Sequence, residues 1–145
     1  MVGIASDHGG FELKQILMEH LKKAGREVED FGCFSTEACD YPEYAYILSD
    51  AVLSGECEKG ILICGTGIGM SMAANRLGGI RAALCADVFS ARATREHNDA
   101  NVLCLGARVT GPGLACLIAD TFLDTEFSGE SRHKDRIKKF DAEYR

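Results

Sequence analysis

No stretch of this 145-residue chain approaches the roughly 18 consecutive apolar residues of a membrane span, so no membrane partner is expected. The opening MVGIASDHGG lacks a basic region followed by a long apolar one, so no secretion signal is expected either. Positive charge is not in excess: 16 Lys and Arg stand against 22 Asp and Glu, a formal charge of -6, which argues against nucleic acid as the main partner. There are seven cysteines, an odd number, and no CxxC pair. Without an export signal this reads as a cytoplasmic chain with reduced thiols, and the spacing offers no zinc knuckle. Cys33, Cys85, Cys104 and Cys116 lie in apolar runs and read as small core residues. No linker, repeat or low-complexity segment divides the chain, so residues 1–145 read as one domain.

What is present is an alternation of short apolar runs and longer amphipathic ones. Strands are expected at Val2–Ala5, Glu27–Phe31, Gly60–Cys64, Arg81–Cys85 and Val102–Leu105. Helices are expected from Phe11 to Ala24, from Asp40-Tyr41-Pro42 onward, after the glycine-rich turn to about Asn75, over Val88–Glu96 behind an Asp87 cap, over Gly111–Leu123, and over Ser131–Phe140. Leu13, Ile16, Leu17, Leu21 and Ala24 should share one helical face, as should Leu114, Leu117, Ile118, Thr121 and Phe122. Strands alternating with helices predict an α/β fold, a three-layer α/β/α sandwich around a five-stranded parallel, Rossmann-like sheet. Ligands of such sheets bind beyond the carboxyl ends of the strands, which singles out Ser6–Gly10 and Cys64–Gly69.

Cys64-Gly65-Thr66-Gly67-Ile68-Gly69 leaves a buried strand and enters a helix. Glycines let backbone N–H groups converge on one anion, and a helix N-terminus favours the thiolate of a cysteine placed there. A base beside donors for a developing oxyanion is what an enediolate-forming reaction needs. The other reading is a dinucleotide loop with a buried cysteine. Met70 stands where GxGxxG would have its third glycine, and Asp87, about 20 residues on, serves equally as a helix cap or a ribose ligand. Asp7 either binds a sugar hydroxyl or caps the first helix, and His8 can hold a phosphate. Arg132 and Arg136, four residues apart, either clamp a phosphate or lie on a solvated face with Glu130 and Asp135. His97-Asn98-Asp99 is a polar run entering a buried strand, whereas His20 and His133 read as solvated.

Taken in order, SDHGG, DYP, GILICGTGIG, AANR, GIRAAL, REHNDANVL, GARVTG and SRHKDRI resemble the type B ribose-5-phosphate isomerase family, which includes allose- and galactose-6-phosphate isomerases. The resemblance implies an aldose–ketose isomerase of the pentose phosphate kind, acting through a cis-enediolate with no metal and no cofactor. It implies Cys64 as the base, His97 as the residue assisting ring opening, and Thr66 beside the enediol oxygens. The backbone of Gly65, Gly67, Ile68 and Gly69 matches the anion hole. Asp7, Tyr41 and Asn98 match sugar contacts, and His8, Arg108, Arg132 and Arg136 the phosphate clamp. A branch of the family replaces the cysteine and uses a glutamate at the place of Met70; this chain resembles the cysteine branch. Galactose-6-phosphate isomerases divide these residues between two unlike chains, so the full set here points to the ribose or allose type. The implied partner is a small sugar phosphate, and the implied assembly is a homodimer, or a dimer of dimers, with shared active sites. Glu130-Ser131 departs from the two glycines common before the first clamp arginine.

Overall fold

The computed structural model describes residues 1–141. Five strands, β1 (Val2–Ser6), β2 (Val28–Asp30), β3 (Lys59–Cys64), β4 (Ala82–Leu84) and β5 (Val102–Gly106), form one parallel sheet in the order β2-β1-β3-β5-β4. The helices are α1 (Phe11–Lys23), α2 (Tyr41–Leu53), α3 (Ile68–Ala74), α4 (Val88–Asn98), α5 (Pro112–Asp124) and α6 (Ser131–Asp141).

Every residue of β1, β3 and β5 is buried, as a parallel sheet covered on both faces requires. Successive side chains alternate between two cores. Ile61, Ile63, Leu103 and Leu105 pack with Leu13, Leu17, Leu21, Ala91, Ile118 and Phe122 on the α1, α4 and α5 side. Leu62, Cys64, Val102 and Cys104 pack with Ala45, Leu48, Met70 and Ala73 on the α2 and α3 side. The result is the expected three-layer α/β/α sandwich.

Three expectations need correction. The edge strands β2 and β4 are three residues each, shorter than expected, although single backbone bonds at Glu27, Phe31, Arg81 and Cys85 extend the contact with the neighbouring strand past their ends. Ile16, Leu114 and Leu117 are 41%, 42% and 54% exposed. The inward stripe of α5 runs through Ala115, Ile118, Ala119 and Phe122, the two alanines letting the helix approach the sheet closely and Ile118 and Phe122 filling the core beside them. Cys116 is half-buried rather than core, whereas Cys33, Cys85 and Cys104 are buried as expected.

Candidate active site

The sheet order reverses between β1 and β3, so the loops that follow them leave the carboxyl edge side by side. Ser6 pairs with Ile63 in register, and the Asp7 N–H donates to the Ile63 carbonyl at 3.1 Å. Asp7 therefore lies beside Cys64. Its carboxylate accepts the Gly10 N–H at 3.1 Å, so it does cap the single 3-10 turn His8–Gly10 that opens α1. His8 is exposed, and its Nδ1 accepts the Cys39 N–H at 3.2 Å. In the neutral ring that bond places the proton on Nε2.

Cys64 ends β3, with Sγ accepting the Gly67 N–H at 3.1 Å. Gly67 has φ +78°, and a methyl group there would lie 2.9 Å from the Leu105 carbonyl carbon. Gly106, opposite Cys64 in the β3–β5 register, would bring a methyl group to 2.5 Å from the Thr66 carbonyl carbon and oxygen. These two glycines let the turn fold tightly over the end of β5. Thr66 Oγ accepts the Ile68 N–H at 3.3 Å, and among the described residues the N–H groups of Gly65, Thr66 and Gly69 have no protein acceptor. The Tyr41 hydroxyphenyl group lies over Gly69, its hydroxyl 2.9 Å from where a methyl group would be. Arg108 donates its backbone N–H to the Gly65 carbonyl at 2.9 Å, and its side chain runs past the same residue. One chain thus gathers Asp7, His8, Tyr41, Cys64, the Gly65–Gly69 turn and Arg108 at one edge.

The other thiols have a different setting. Burial pushes Cys85 up to about 11, helped by the nearby Asp87 carboxylate, and burial pushes Cys104 up further. Burial also raises the Cys39 thiol; a backbone bond at His8 opposes this, and the neighbouring Cys33 thiol adds to it.

The remaining expected residues are not at this edge. His97 is in the last turn of α4 and Asn98 ends that helix; both are exposed. Only Asp99, Ala100 and Asn101 separate α4 from β5, so His97 lies by the amino edge of the sheet. Asp99 takes the left-handed conformation, its carboxylate held by Arg95 at 2.8 Å and Arg81 at 3.4 Å. Arg132 and Arg136 are exposed on α6, which packs against α4. Arg132 pairs with Glu130 at 3.1 Å, while Arg136 has no carboxylate partner among the described residues. A groove of about 670 Å³ opens near this edge, with Arg81, Thr94, Asn98 and Phe140 among its walls.

Sequence reasoning missed His133. It is buried and stacks on His97 with ring centroids 4.5 Å apart and planes 21° from parallel. It is the one buried residue of α6, and its place between the two arginines was the available signal. His20, read as solvated, is half-buried and bonds Asp120 at 2.8 Å. Among the described residues, no three His, Cys, Asp or Glu side chains are grouped to hold a metal, and no helix is long and apolar enough to cross a membrane.

A parallel sheet bearing a cysteine at the mouth of a glycine turn, at the switch point of its strand order, defines an α/β small-molecule site. The family model described as Ribose/Galactose Isomerase matches residues 2–140. The Ribose-5-phosphate isomerase B of Escherichia coli is 46% identical over 97% of this chain and 94% of its own. The solved structure of the Clostridium thermocellum Ribose-5-Phosphate Isomerase B is 53% identical, covers 97% of this chain and 94% of that one, and superposes with a TM-score of 0.94. The Thermotoga maritima ribose 5-phosphate isomerase structure is also 53% identical, covers 97% and 96%, and has a TM-score of 0.94. The chain belongs to the ribose/galactose isomerase family and is an enzyme of that isomerase class.

Proposed function

We propose that the enzyme interconverts ribose 5-phosphate and ribulose 5-phosphate through a cis-enediolate, with Cys64 as the base. The observation that carries this is the Cys64 thiol at the carboxyl end of β3, beside a turn whose Gly65, Thr66 and Gly69 N–H groups lack protein acceptors among the described residues. In the open-chain aldose, the Cys64 thiolate takes the proton from C2, and the electron pair moves into the C1–C2 bond. Charge then develops on the carbonyl oxygen, where the Thr66 hydroxyl and the backbone N–H groups stabilise it. Returning the proton to C1, with the hydroxyl proton passing from O2 to O1, gives the ketose. No atom is gained or lost. Asp7 and Tyr41 hold sugar hydroxyls, and His8 and Arg108 bind the phosphate.

Ring opening falls to His97, with Asn98 on the sugar and Arg132 and Arg136 completing the phosphate clamp. Within one chain, His97 and Cys64 lie at opposite edges of the sheet, and a five-residue strand spans roughly 16 Å. We therefore assign His97, Asn98, Arg132 and Arg136 to the site of a two-fold partner, which makes the working enzyme a dimer or a dimer of dimers.

The test is an isomerase assay with ribose 5-phosphate, allose 6-phosphate and other sugar phosphates, run beside a thermal-shift panel of nucleotides. The expected result is the highest kcat/KM with ribose 5-phosphate, undiminished by chelator, and no shift with nucleotides. Turnover of none of the sugars, with a nucleotide shift, would replace this reading with a binding domain.

A further inference from the structure

Lys14 is a lysine with no exposed surface, placed one helical turn after the His8–Gly10 turn. Its ammonium group lies 2.6 Å from the Asp30 carboxylate at the end of β2 and also donates to the Cys33 carbonyl. The rings of Phe11 and Phe34 flank it, with centroids 5.4 and 5.3 Å away. The same Asp30 oxygen accepts the Gly32 N–H at 2.9 Å. A buried ammonium and carboxylate lose hydration that their mutual attraction only partly restores, and apolar residues of like volume often serve a core as well. Stability alone therefore does not account for a charged group at this position.

The surroundings suggest what does. The ammonium fixes the first residues of the 31–40 loop, and the Cys33 N–H donates to the Ser6 carbonyl at 2.8 Å, just before Asp7 and His8. The loop's far end returns to the same place, where the Cys39 N–H bonds His8 Nδ1 and the Cys39 thiol neighbours Cys33. Lys14 thus holds His8 from two sides: through its own helix, which begins with the His8 turn, and through the loop that sets the imidazole.

We infer that Lys14, paired with Asp30, is a positioning residue for the phosphate end of the site, acting through the Cys39–His8 bond. The inference rests on the reading of His8 as a phosphate ligand. By holding Nδ1 as an acceptor, the loop keeps the proton on Nε2, where the ring presents a donor to the incoming anion.

The test uses the full chain with Lys14→Met and with the double substitution Lys14→Met/Asp30→Asn, which removes both charges and keeps an oxygen for the Gly32 N–H. The double variant should fold with near-wild-type Tm. Its KM for ribose 5-phosphate should rise about tenfold while kcat stays within about twofold. In ¹⁵N spectra, the His8 ring of the wild type should be fixed as the Nε2–H form, and in both variants it should become a mixture. A double variant with unchanged KM and an unchanged His8 spectrum would overturn the inference, as would one that fails to fold, since the pair would then be serving the core. A wild-type His8 carrying its proton on Nδ1 would overturn it whatever the variants do. If the wild type turned over no sugar phosphate, the proposed function would fail, and the His8 spectra would still decide the role of Lys14.

Discussion

At the scale of single residues, the seven thiols separate by environment. Burial holds Cys85 and Cys104 as protonated thiols at neutral pH, and burial raises Cys57 and Cys116 as well. Cys64, also buried, differs in its place at the end of β3, where its sulfur accepts a backbone N–H from the turn it opens. Cys64→Ala should lower kcat by about 10²–10⁴-fold with substrate binding nearly unchanged, because in the proposed mechanism only proton transfer needs the sulfur. Iodoacetamide should inactivate the enzyme by labelling Cys64, as peptide mass spectrometry can locate, and bound substrate should protect it. Near-normal kcat in the alanine variant would remove Cys64 from the mechanism. The arginines of α6 make a different case. In the proposed clamp each phosphate contact would be charge-assisted and worth roughly 1.5–3 kcal/mol, so Arg132→Ala and Arg136→Ala should each raise KM about tenfold or more. Since both would hold one group, the double variant should show less than the summed effect. Unchanged KM in both would leave them as a solvated face, Arg132 being already paired with Glu130.

At the scale of elements, the site depends on how closely β5 and the Cys64–Gly69 turn approach. A methyl group at Gly106 would meet the Thr66 carbonyl at 2.5 Å, and backbone on both sides leaves little room to yield. Gly106→Ala should therefore cost about 1–3 kcal/mol in denaturant unfolding and lower kcat/KM by about 100-fold through displacement of the turn. Gly78→Ala, where nothing lies within 4 Å, is the control and should be close to wild type. Equal effects at the two positions would mean that the close approach is not what matters. The buried strands were legible because a sheet covered on both faces needs continuous apolar runs, which GILIC and VLCL supply. The loops around Asp7 and Cys64 were legible because strand order in a parallel sheet brings them to one edge. Lys14 was not legible: a lysine between Leu13 and Leu17 reads as outward-facing, and its burial depends on Asp30, sixteen residues away on another element. His133 was missed for the same reason, since its covering group, His97, belongs to α4.

At the scale of the whole molecule, the expected site residues fall into two groups that a single chain holds apart. Cys64 pairs in register with Gly106 at the carboxyl end of β5, whereas His97 comes before Val102 at the other end. The three-residue link between α4 and β5 is too short to carry His97 back over a strand of roughly 16 Å. If both residues act on one sugar, each must come from a different copy of the chain, and two-fold symmetry then gives every dimer two identical composite sites. Complementation tests this directly. Cys64→Ala and His97→Ala chains should each be nearly inactive alone. When they are co-expressed and mixed dimers are isolated with two affinity tags, one site carries both lesions and the other carries neither. Activity should then return to about half that of the wild type per mixed dimer. A site built within one chain would keep one lesion in every copy, and verified mixed dimers would stay inactive, which would refute the shared site while leaving the role of Cys64 intact.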